Sequence, residues 1–417
     1  MKKEYFEIEG GRSLFGKTEV YSAKNAVLPM LAGAMLTSEK VTIKNCPHIT
    51  DVANMFKMRD LLSLETRWVG RDIEASGIVI NNHIPERLSS AMRSSVFMLG
   101  PLVTMTGEVK LHTPGGCKIG LRPIDIHLKG LEKLGAKITE LEDGVLCKAD
   151  KLVGDEIVLR YPSVGATENL VASAVLAKGD TTIIGSAREP EVVSLCEMLN
   201  RMGAKIVGAG TSVIKIKGVE SLGGTTITPV TDRIVAGTII LATALVGGRV
   251  IIEGCRADHL GALLNRLASK NFVVLDRDCG VTVESNGKLQ PMDIVSGPYP
   301  KFPTDLQPIL TAILTCARGN SNIEEKVFEN RFSYVTELNK MGADIVVSGD
   351  KACVRGEALH GANVEAKDLR GGAGLVVAGL GAKGLTTVSG VEYIDRGYEN
   401  MEYLFSSLGA KVTRKNF

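Results

Sequence analysis

Apolar and polar positions along this chain follow a pattern that recurs six times. Each recurrence closes an amphipathic helical stretch and leads into a β-branched stretch. The six phrases are LLSLETRWV (61–69), LEKLGAKIT (131–139), LNRMGAKIV (199–207), LNRLASKNF (264–272), LNKMGADIV (338–346) and FSSLGAKVT (405–413). In four of them a glycine follows the helical part, which suits a left-handed helix C-cap. The pattern predicts a helix and then a strand at every copy.

An alternating stretch after a turn precedes each phrase and predicts one more strand. These stretches are EKVTIKNC, GEVKLHT, GDTTIIGS, GGRVIIEG, GNSNIEEK and KGLTTVSG. A single strand-helix-strand unit cannot bury its own helix, whereas three units together can. We therefore expect an α/β protein with two groups of three units, and a crossover near 228–237. One elongated array of repeats is the alternative, which is less favoured because the repeats are long and few.

Length, charge and hydropathy bound the function. A chain of 417 residues exceeds one hydrophobic core, so two or three domains are expected. The formal charge is only +2 and no long basic run occurs, which indicates neither a nucleic acid nor a membrane surface as partner. The longest uncharged stretch, 234–248, is shorter than the roughly 18 residues of a spanning helix. We expect a cytoplasmic protein.

Cysteine and histidine spacing argues against a metal site. The eight cysteines show no CxxC spacing and the six histidines form no ligand pair. We predict a reducing compartment, no metal and no cofactor. We expect seven of the eight cysteines to be buried and to pack like small hydrophobic side chains.

Cys117 is the exception because of its loop, LHTPGGCKIGLRP (111–123). Pro114 sets a turn and the two following glycines permit backbone angles that a side chain forbids. Lys118 and Arg122 stand close in sequence, and neighbouring cations lower the pKa of a thiol below its usual value of about 8.5. A reactive, partly exposed thiol is therefore predicted.

Cations next to turns and helix starts predict a site for an anionic substrate. The candidates are Lys24, Arg93, Arg122, Arg370 and Arg396. Lys24 and Asn25 open an apolar run where a helix should begin, and helix N-termini attract phosphate and carboxylate. Arg93 lies in an apolar stretch, and the other three arginines lie beside glycine-bearing turns. For any one of them, a solvated surface position is the alternative.

Asp305 is the candidate general base. It lies in PYPKFPTDLQP, where three prolines precede it and one follows, and a base must be held in position before its pKa can matter. A structural role as N-cap of a helix starting at Leu306 is the alternative, and both roles are compatible.

Together these motifs resemble the UDP-N-acetylglucosamine 1-carboxyvinyltransferases, a family of enolpyruvyl transferases. The resemblance runs nearly end to end and rests on AKNA (23–26), LGPL (99–102), PGGCKIGLRPID (114–125), PSVGATEN (162–169), AREPE (187–191), FPTD (302–305), ENRF (329–332), DLRGGAG (368–374) and IDRGYE (394–399). It implies two inside-out α/β barrel-like domains with the active site in the cleft between them. The N-terminal lobe would be 22–230, carrying the loop 111–123, and the C-terminal lobe would be 1–21 plus 231–417.

The resemblance also assigns substrate contacts. Lys24, Arg93, Arg122 and Arg396 would bind phosphoenolpyruvate, with Arg370 close by. The amino sugar of UDP-N-acetylglucosamine would be held by Asn25, Asp305 and the backbone of Val327 and Phe328. The uridine and diphosphate region would be lined by Ser163, Val164 and Gly165 and by the turn of Pro123, Ile124 and Asp125. Tyr161, beside Arg160, stands where some family members carry a lysine.

The implied chemistry gives two residues a proton-transfer role. Asp305 would take the proton of the sugar 3-hydroxyl, and Cys117 would act as an acid toward C3 of phosphoenolpyruvate or in product release. Lys24 and Arg396 would complete the catalytic set, since preorganised charge is usually the largest catalytic contribution. Cys117 would also be the residue that fosfomycin alkylates. The sequence leaves two alternatives open: an enzyme acting on shikimate 3-phosphate, and a catalytically silent paralogue that binds a UDP-sugar.

Overall fold

The computed structural model describes residues 4–90, 92–113, 115, 119–120, 123–268, 271–277 and 280–416. The α-helices of these residues are α1 (Lys24–Gly33), α2 (Thr50–Leu61), α3 (Glu86–Ser89), α4 (Leu99–Thr106), α5 (Asp125–Lys133), α6 (Val164–Ala174), α7 (Pro190–Arg201), α8 (Arg233–Val246), α9 (Gly261–Leu267), α10 (Gln307–Leu314), α11 (Val335–Lys340), α12 (Leu369–Gly381), α13 (Val391–Ile394) and α14 (Met401–Ser407). Short 3₁₀ helices cover Ala34–Leu36, Arg93–Met98 and Ala257–Leu260.

The strands lie between these helices and at both ends of the described chain. They are β1 (Glu4–Glu9), β2 (Leu14–Glu19), β3 (Val41–Ile43), β4 (Glu65–Val69), β5 (Asp72–Ser76), β6 (Glu108–His112), β7 (Lys137–Leu141), β8 (Gly144–Lys148), β9 (Glu156–Val158), β10 (Asp180–Ile184), β11 (Lys205–Val207), β12 (Val213–Lys217), β13 (Thr225–Ile227), β14 (Gly248–Glu253), β15 (Phe272–Arg277), β16 (Gly280–Ser285), β17 (Ile294–Val295), β18 (Asn320–Glu324), β19 (Asp344–Ser348), β20 (Lys351–Arg355), β21 (Asn363–Glu365), β22 (Leu385–Ser389) and β23 (Lys411–Asn416).

These strands form six sheets within the described residues. Five have four strands, in the orders β21-β22-β1-β23, β11-β12-β10-β9, β13-β3-β5-β4, β15-β16-β14-β2 and β17-β18-β20-β19, and the sixth is β6-β8-β7. Each four-stranded sheet contains one parallel pair, and its other pairs are antiparallel. In the sixth sheet, His83 adds a parallel bridge to Lys110 on β6. The expected α/β class is confirmed, and the structure adds that five of the sheets are mixed.

The six sequence phrases occupy the predicted elements. Helices α2, α5, α7, α9, α11 and α14 each end at the phrase, and a strand follows each of them. Where a glycine follows the helix it adopts the left-handed region: φ is 92° at Gly135, 109° at Gly203, 88° at Gly342 and 96° at Gly409. The four glycines in the sequence phrases therefore predicted the left-handed helix C-caps correctly.

The described chain divides into two compact units. Unit 1 comprises residues 4–21, 119–120 and 231–416, and unit 2 comprises the remaining described residues, which lie between 22 and 230. Each unit has its own hydrophobic core. The units thus satisfy separately the requirement that a domain bury its own apolar helix faces.

The loop expected at 111–123 differs in two respects from the sequence analysis. Leu111 and His112 are the last residues of β6 and do not belong to a loop. Ile119 and Gly120 belong to unit 1, where the carbonyl of Ile119 accepts a hydrogen bond from the amide of Asn330 at 3.0 Å. Sequence continuity gives no sign of this contact between Ile119 and Asn330, because the two residues lie far apart in the chain.

Three buried helices form the centre of each core. In unit 1, α10 packs on α8 and α12, and all eight residues of α10 are buried. In unit 2, α6 packs on α1 and α4. Small residues permit this approach: a Cβ at Gly374 would lie 2.9 Å from the Pro308 carbonyl, and one at Gly100 would lie 2.1 Å from Oδ1 of Asn169.

Both N-terminal strands belong to sheets of unit 1. Strand β1 lies between β22 and β23 and is antiparallel to each. Strand β2 runs parallel to β14. In unit 2 the equivalent closing strand is β13, which runs parallel to β3.

The described residues contain neither a membrane-spanning helix nor a cluster of metal ligands. No described helix has the length and apolar character needed to cross a membrane. No group of three His, Cys, Asp or Glu residues in the described chain is arranged to hold a metal ion. The thiols of Cys46, Cys147, Cys196 and Cys255 are buried as predicted, whereas Cys316 and Cys353 are half-buried. Burial raises the pKa of Cys147, Cys196 and Cys255 to about 12, so these thiols are unreactive.

Candidate active site

Asp305 in unit 1 lies against two buried arginines. Nη2 of Arg331 donates to Oδ1 of Asp305 at 3.0 Å, and Nε and Nη2 of Arg370 donate to Oδ2 at 3.3 and 3.1 Å. The two arginine side chains are 2% and 4% exposed, whereas that of Asp305 is 28% exposed. This arrangement holds Asp305 as a carboxylate and leaves part of it open to solvent.

The alternative role of Asp305 as a helix cap is wrong. Helix α10 begins at Gln307, and its N-cap residue is Leu306, which makes no side-chain capping bond. Both carboxylate oxygens of Asp305 are instead bonded to guanidinium groups. The sequence suggested a cap because aspartate before an apolar run is a common helix start.

Arg331 is a site residue that the sequence analysis did not single out. Its Nε and Nη2 atoms donate to the carbonyl of Thr304 at 3.2 and 3.0 Å, next to its bond with Asp305. Its Nη1 atom lies 3.9 Å from Oδ1 of Asp368. Arg331 therefore fixes both the backbone and the side chain of the 304–305 segment. In the sequence, only its position in the ENRF motif could have indicated this role, because Arg331 lies neither beside a glycine turn nor in an apolar stretch.

Arg370 is in a helix, and its placement beside a glycine turn is wrong. It is the second residue of α12, whose N-cap Asp368 accepts from the amides of Arg370 and Gly371. The glycines after it are helical and buried because α12 packs closely on α10. Burial disfavours the charge of Arg370, but Asp305, Tyr398 and Asp232 together outweigh it and raise the pKa of the guanidinium. Arg370 is therefore a permanent cation.

Tyr398 connects Arg370 to the segment that carries Arg396. The guanidinium carbon of Arg370 lies 5.4 Å from the centre of the Tyr398 ring, within cation–π distance. The Tyr398 hydroxyl lies 2.8 Å from Oγ1 of Thr238. Arg396 itself is half-buried, two residues before Tyr398 and just after α13. The structure therefore anchors the turn of Arg396 beside Arg370.

Glu325 connects the backbone of Val327 and Phe328 to Thr304, the residue before Asp305. Oε1 of Glu325 accepts from the amides of Val327 at 2.9 Å and Phe328 at 3.3 Å, and Oε2 accepts from the hydroxyl of Thr304 at 3.0 Å. The guanidinium carbon of Arg331 is 5.7 Å from the centre of the Phe328 ring. Glu325 therefore fixes the backbone of Val327 and Phe328 next to Thr304.

In unit 2, Lys24 pairs with a buried acid that the sequence did not reveal. Lys24 and Asn25 begin α1, as predicted. Nζ of Lys24 lies 2.7 Å from Oδ2 of Asp51, and the two side chains are 11% and 1% exposed. A solvated surface position, the alternative for Lys24, is therefore wrong. Asp51 lies in the first turn of α2, and nothing local in its sequence indicates this pairing.

Arg93 lies close to a buried histidine. It begins the 3₁₀ helix Arg93–Met98, which packs on α1. Burial and the charge of Arg93 lower the pKa of His127 to about 3, so the imidazole is neutral near pH 7. Nδ2 of Asn169 lies 3.3 Å from Nδ1 of His127, and it donates to the carbonyl of Val96 at 2.6 Å. With Nδ1 accepting, the ring proton resides on Nε2.

The residues expected around the nucleotide lie at the start of two helices. Pro123 and Ile124 precede α5, which begins at Asp125, and Ser163 caps α6 by accepting from the amide of Ala166 at 3.3 Å. The two helices pack together. Helix N-termini are favourable sites for phosphate groups.

Contacts across the two helix starts support this grouping. A Cβ at Gly165, which follows Val164, would lie 3.3 Å from Cε1 of His127. Nη2 of Arg160 lies 2.7 Å from Oδ2 of Asp125. Oδ1 of Asp125 is buried and accepts no hydrogen bond within the part of the chain that the structure describes.

Two predicted site residues, Cys117 and Arg122, lie outside the described residues, as does Lys118. Within unit 1 the structure brings together Asp305 and Arg370 with Val327 and Phe328, and it places the turn of Arg396 next to Tyr398. Within unit 2 it groups Lys24 with the segment of Arg93, and Asp125 with the start of α6.

Known proteins match the chain along nearly its whole length. The family model of EPSP synthase (3-phosphoshikimate 1-carboxyvinyltransferase) matches residues 8–404. The UDP-N-acetylglucosamine 1-carboxyvinyltransferase of Desulforapulum autotrophicum is 46% identical over 413 residues, which cover 98% of this chain and 99% of that protein. UDP-N-acetylglucosamine 1-carboxyvinyltransferase 2 of Carboxydothermus hydrogenoformans is 45% identical over 415 residues, 99% of each chain.

Solved structures show the same fold at lower identity. The enolpyruvyl transferase NikO from Streptomyces tendae has a TM-score of 0.89 at 24% identity and covers 100% of both chains. An EPSP synthase from Acinetobacter baumannii has a TM-score of 0.76 at 17% identity and covers 99% of this chain and 100% of its own. These likenesses concern the fold alone. The full-length relatives and the family model show that the chain belongs to the UDP-N-acetylglucosamine 1-carboxyvinyltransferases of the enolpyruvyl transferase family.

Proposed function

We propose that this chain transfers the 1-carboxyvinyl group of phosphoenolpyruvate to the 3-hydroxyl of UDP-N-acetylglucosamine and releases phosphate. The observation that carries this proposal is the set of full-length relatives of that name at 41–46% identity. The chain is an enzyme, and the reaction is the first committed step of peptidoglycan synthesis. The cytoplasmic location expected from the sequence stays a prediction.

In unit 1, we assign Asp305 the role of base toward the sugar 3-hydroxyl. The carboxylate is fixed on two sides by Arg331 and Arg370, and a base must be positioned before its basicity matters. Modest basicity suffices, because charge that develops at C2 of phosphoenolpyruvate makes the attacking hydroxyl more acidic. Arg370 and Arg396 supply fixed positive charge for the phosphate and carboxylate.

In unit 2, Lys24 and Arg93 bind the anionic groups of phosphoenolpyruvate, and Asn25 contacts the amino sugar. The starts of α5 and α6, with the residues 123–125 and 163–165, take the uridine and diphosphate. The buried Lys24–Asp51 pair supports this assignment, because a lysine held by one carboxylate has a defined position from which to meet an anion.

The chemical steps balance through one tetrahedral adduct. Addition protonates C3 of phosphoenolpyruvate and forms the bond from the sugar oxygen to C2, while the hydroxyl proton passes to Asp305. Elimination removes a proton from C3, breaks the C2–phosphate bond and leaves the enol ether. We assign Cys117, which lies outside the described residues, to proton transfer at C3 or to product release.

The arrangement of helices and sheets supports a finer description of the fold. We propose two inside-out α/β barrel-like lobes, 22–230 and 1–21 plus 231–417, each built from three repeat units. Three sheets per unit, with α8, α10 and α12 packed on one another in unit 1 and α6 packed on α1 and α4 in unit 2, are consistent with such a lobe. The cleft expected between the lobes stays a prediction.

Phosphate release tests the function and its alternatives together. Purified protein with phosphoenolpyruvate is assayed with UDP-N-acetylglucosamine, with shikimate 3-phosphate and with no acceptor. We expect release with the first acceptor only. Release with shikimate 3-phosphate alone would favour the activity for which the family model is named, and no release with either would favour a silent UDP-sugar-binding paralogue.

A further inference from the structure

Glu325, which directly follows β18, is a buried acid that bonds to two separate segments of the candidate site. The residue is 3% exposed. Its Oε2 atom accepts from the hydroxyl of Thr304 at 3.0 Å, and its Oε1 atom accepts from the amides of Val327 at 2.9 Å and Phe328 at 3.3 Å. Thr304 directly precedes Asp305. One side chain thus joins the segment of the proposed base to the backbone assigned to the amino sugar.

The sheet β17-β18-β20-β19 fixes the backbone on which Glu325 stands. The amide of Glu325 donates to the carbonyl of Asp350, between β19 and β20, at 2.8 Å. The next amide, that of Lys326, donates to Oγ of Ser296 at 2.9 Å. The amide of Ser296 donates in turn to the carbonyl of Glu324 at 2.9 Å. Glu325 therefore projects from a hydrogen-bonded part of unit 1 and has a defined position.

The groups that donate to Glu325 explain why this position carries an acid. A carboxylate has two acceptor oxygens, so it accepts from a hydroxyl on one side and from two amides on the other at the same time. A buried donor that loses its acceptor is costly. Removing the carboxylate would take the acceptor from three donors in two segments.

Arg331 connects the same two segments a second time. It donates to the carbonyl of Thr304 at 3.2 and 3.0 Å, and its guanidinium carbon lies 5.7 Å from the centre of the Phe328 ring. Arg331 also bonds Asp305, whereas Glu325 bonds the amides of the sugar segment. The two side chains therefore have different effects: Arg331 orients the base, and Glu325 fixes the sugar segment relative to it.

We propose that Glu325 is a positioning residue that sets the distance between Asp305 and the backbone that holds the amino sugar, so that the sugar 3-hydroxyl meets the base. This inference rests on the proposed function, in which Asp305 and the backbone of Val327 and Phe328 contact UDP-N-acetylglucosamine. Phosphoenolpyruvate is assigned to other residues. The effect of Glu325 should therefore fall on one of the two substrates.

The test compares variants at the two ends of this bridge. Glu325→Ala should raise the KM for UDP-N-acetylglucosamine about tenfold and lower kcat about tenfold, and should change the KM for phosphoenolpyruvate less than about twofold. Thr304→Val removes only the hydroxyl. It should lower kcat about fivefold and leave both KM values within about twofold of wild type, because the sugar segment stays bonded to Glu325. Thr304→Ser keeps the hydroxyl and should restore kcat.

The double variant Thr304→Val/Glu325→Ala separates a bridge from two unrelated defects. Its kcat should equal that of Glu325→Ala, because the hydroxyl of Thr304 has already lost its acceptor. Independent damage at two positions would multiply the two losses. If Glu325→Ala does not fold, Thr304→Val and Thr304→Ser decide the matter, and equal kcat values for these two variants would contradict the bridge.

Glu337→Ala is the matched control. Glu337 lies in the same unit and is 2% exposed, and its carboxylate accepts from the amide of Glu365 at 3.1 Å. It also pairs with Lys340 at 2.7 Å and Lys367 at 3.2 Å, so it joins α11 to residues before α12 and not to the sugar segment. The control loses a buried carboxylate of the same kind. Its stability should fall, whereas kcat and both KM values should stay at the wild-type level.

Three results with active wild-type protein would overturn the inference: an unchanged KM for UDP-N-acetylglucosamine in Glu325→Ala, equal rises in both KM values, or kcat losses that multiply in the double variant. A wild-type protein that releases no phosphate would instead contradict the proposed function. Amide hydrogen exchange then tests the bridge without turnover. Exchange at Val327 and Phe328 should be about tenfold faster in Glu325→Ala than in wild type, and equal rates would contradict the bridge.

Discussion

Nζ of Lys24 lies 2.7 Å from Oδ2 of Asp51, and both side chains are almost completely buried. The pair joins the first residue of α1 to the first turn of α2. Two charges removed from water stabilise each other only while both are present. Lys24 therefore depends on Asp51 both for its position and for tolerating its burial.

Asp51→Asn should lower the free energy of unfolding by about 3 kcal/mol, because it removes the charge that compensates a buried ammonium group. Urea titration followed by circular dichroism measures the change. Glu108→Gln is the control: Glu108 pairs with Lys148 at 2.7 Å, but the side chains are 43% and 53% exposed. The control should lose less than about 1 kcal/mol, and equal losses in the two variants would contradict a special role for the buried pair.

Arg331→Lys should reduce kcat for phosphate release by about 10- to 100-fold. One guanidinium now bonds both the Thr304 carbonyl and Asp305, and a single ammonium group cannot reproduce that fork. The base would then be misplaced although its charge partner remains. Arg355→Lys, at a 62% exposed arginine paired with Asp344 in the same unit, should leave kcat unchanged. A kcat within twofold of wild type for Arg331→Lys would show that Asp305 does not need this support.

Glu168 should make stability fall as the pH rises. Its side chain is buried, its two oxygens have no hydrogen-bond partner within the described chain, and burial raises its pKa well above the ordinary value, with Glu191 and Glu189 adding to the effect. The folded state therefore keeps a proton that the unfolded chain loses above about pH 4.3. The contribution is fully present below that pH and is lost as the pH rises toward the folded pKa.

Glu168→Gln removes this titratable group and should make the free energy of unfolding depend less on pH. Relative to wild type, the variant should gain up to about 1.4 kcal/mol per pH unit above the unfolded pKa. Urea unfolding at several values between pH 5 and pH 8 measures the difference. Glu197→Gln, at an exposed position of α7, should follow wild type, and parallel curves for Glu168→Gln and wild type would refute the expectation.

His127 should remain neutral through the physiological range, because burial and Arg93 lower its pKa to about 3. Its ring nitrogen shifts in NMR spectra should stay constant between pH 5 and pH 8 and should show the proton on Nε2. His127→Asn identifies the signals by their disappearance. A midpoint near pH 6.5 would mean that the imidazole is hydrated or paired with an acid.

Cys117→Asp should keep turnover and escape fosfomycin, because a carboxyl group can donate a proton but is not alkylated as a thiolate is. This prediction follows from the sequence of the loop, since Cys117 lies outside the described residues. Phosphate release before and after incubation with the inhibitor measures it. Undiminished inactivation of the variant would remove Cys117 as the target.

Local signals in the sequence predicted the elements that depend on local physics. Gly135 and the three equivalent glycines mark helix ends because the residue after such a helix adopts a left-handed backbone conformation, which glycine adopts without strain. The sequence also predicted the helix start at Lys24 correctly, because a long apolar run follows this residue directly.

Pairings over long sequence distances were not predictable in this way. Asp51 and Arg331 acquire their roles only when α1 meets α2 and when the 304–305 segment meets residue 331. The glycines after Arg370 suggested a turn, but they are helical because α12 packs on α10, and a single sequence does not distinguish these two uses of glycine.

The position of β1 between β22 and β23 has a consequence for synthesis on the ribosome. Residues 4–9 are translated long before their hydrogen-bonding partners, 385–389 and 411–416. The strands of unit 2, by contrast, follow one another along the chain from β3 to β13, so they can pair while the rest is still being made. Strand β1 must therefore wait, with both of its edges unpaired, until β22 and β23 have been translated.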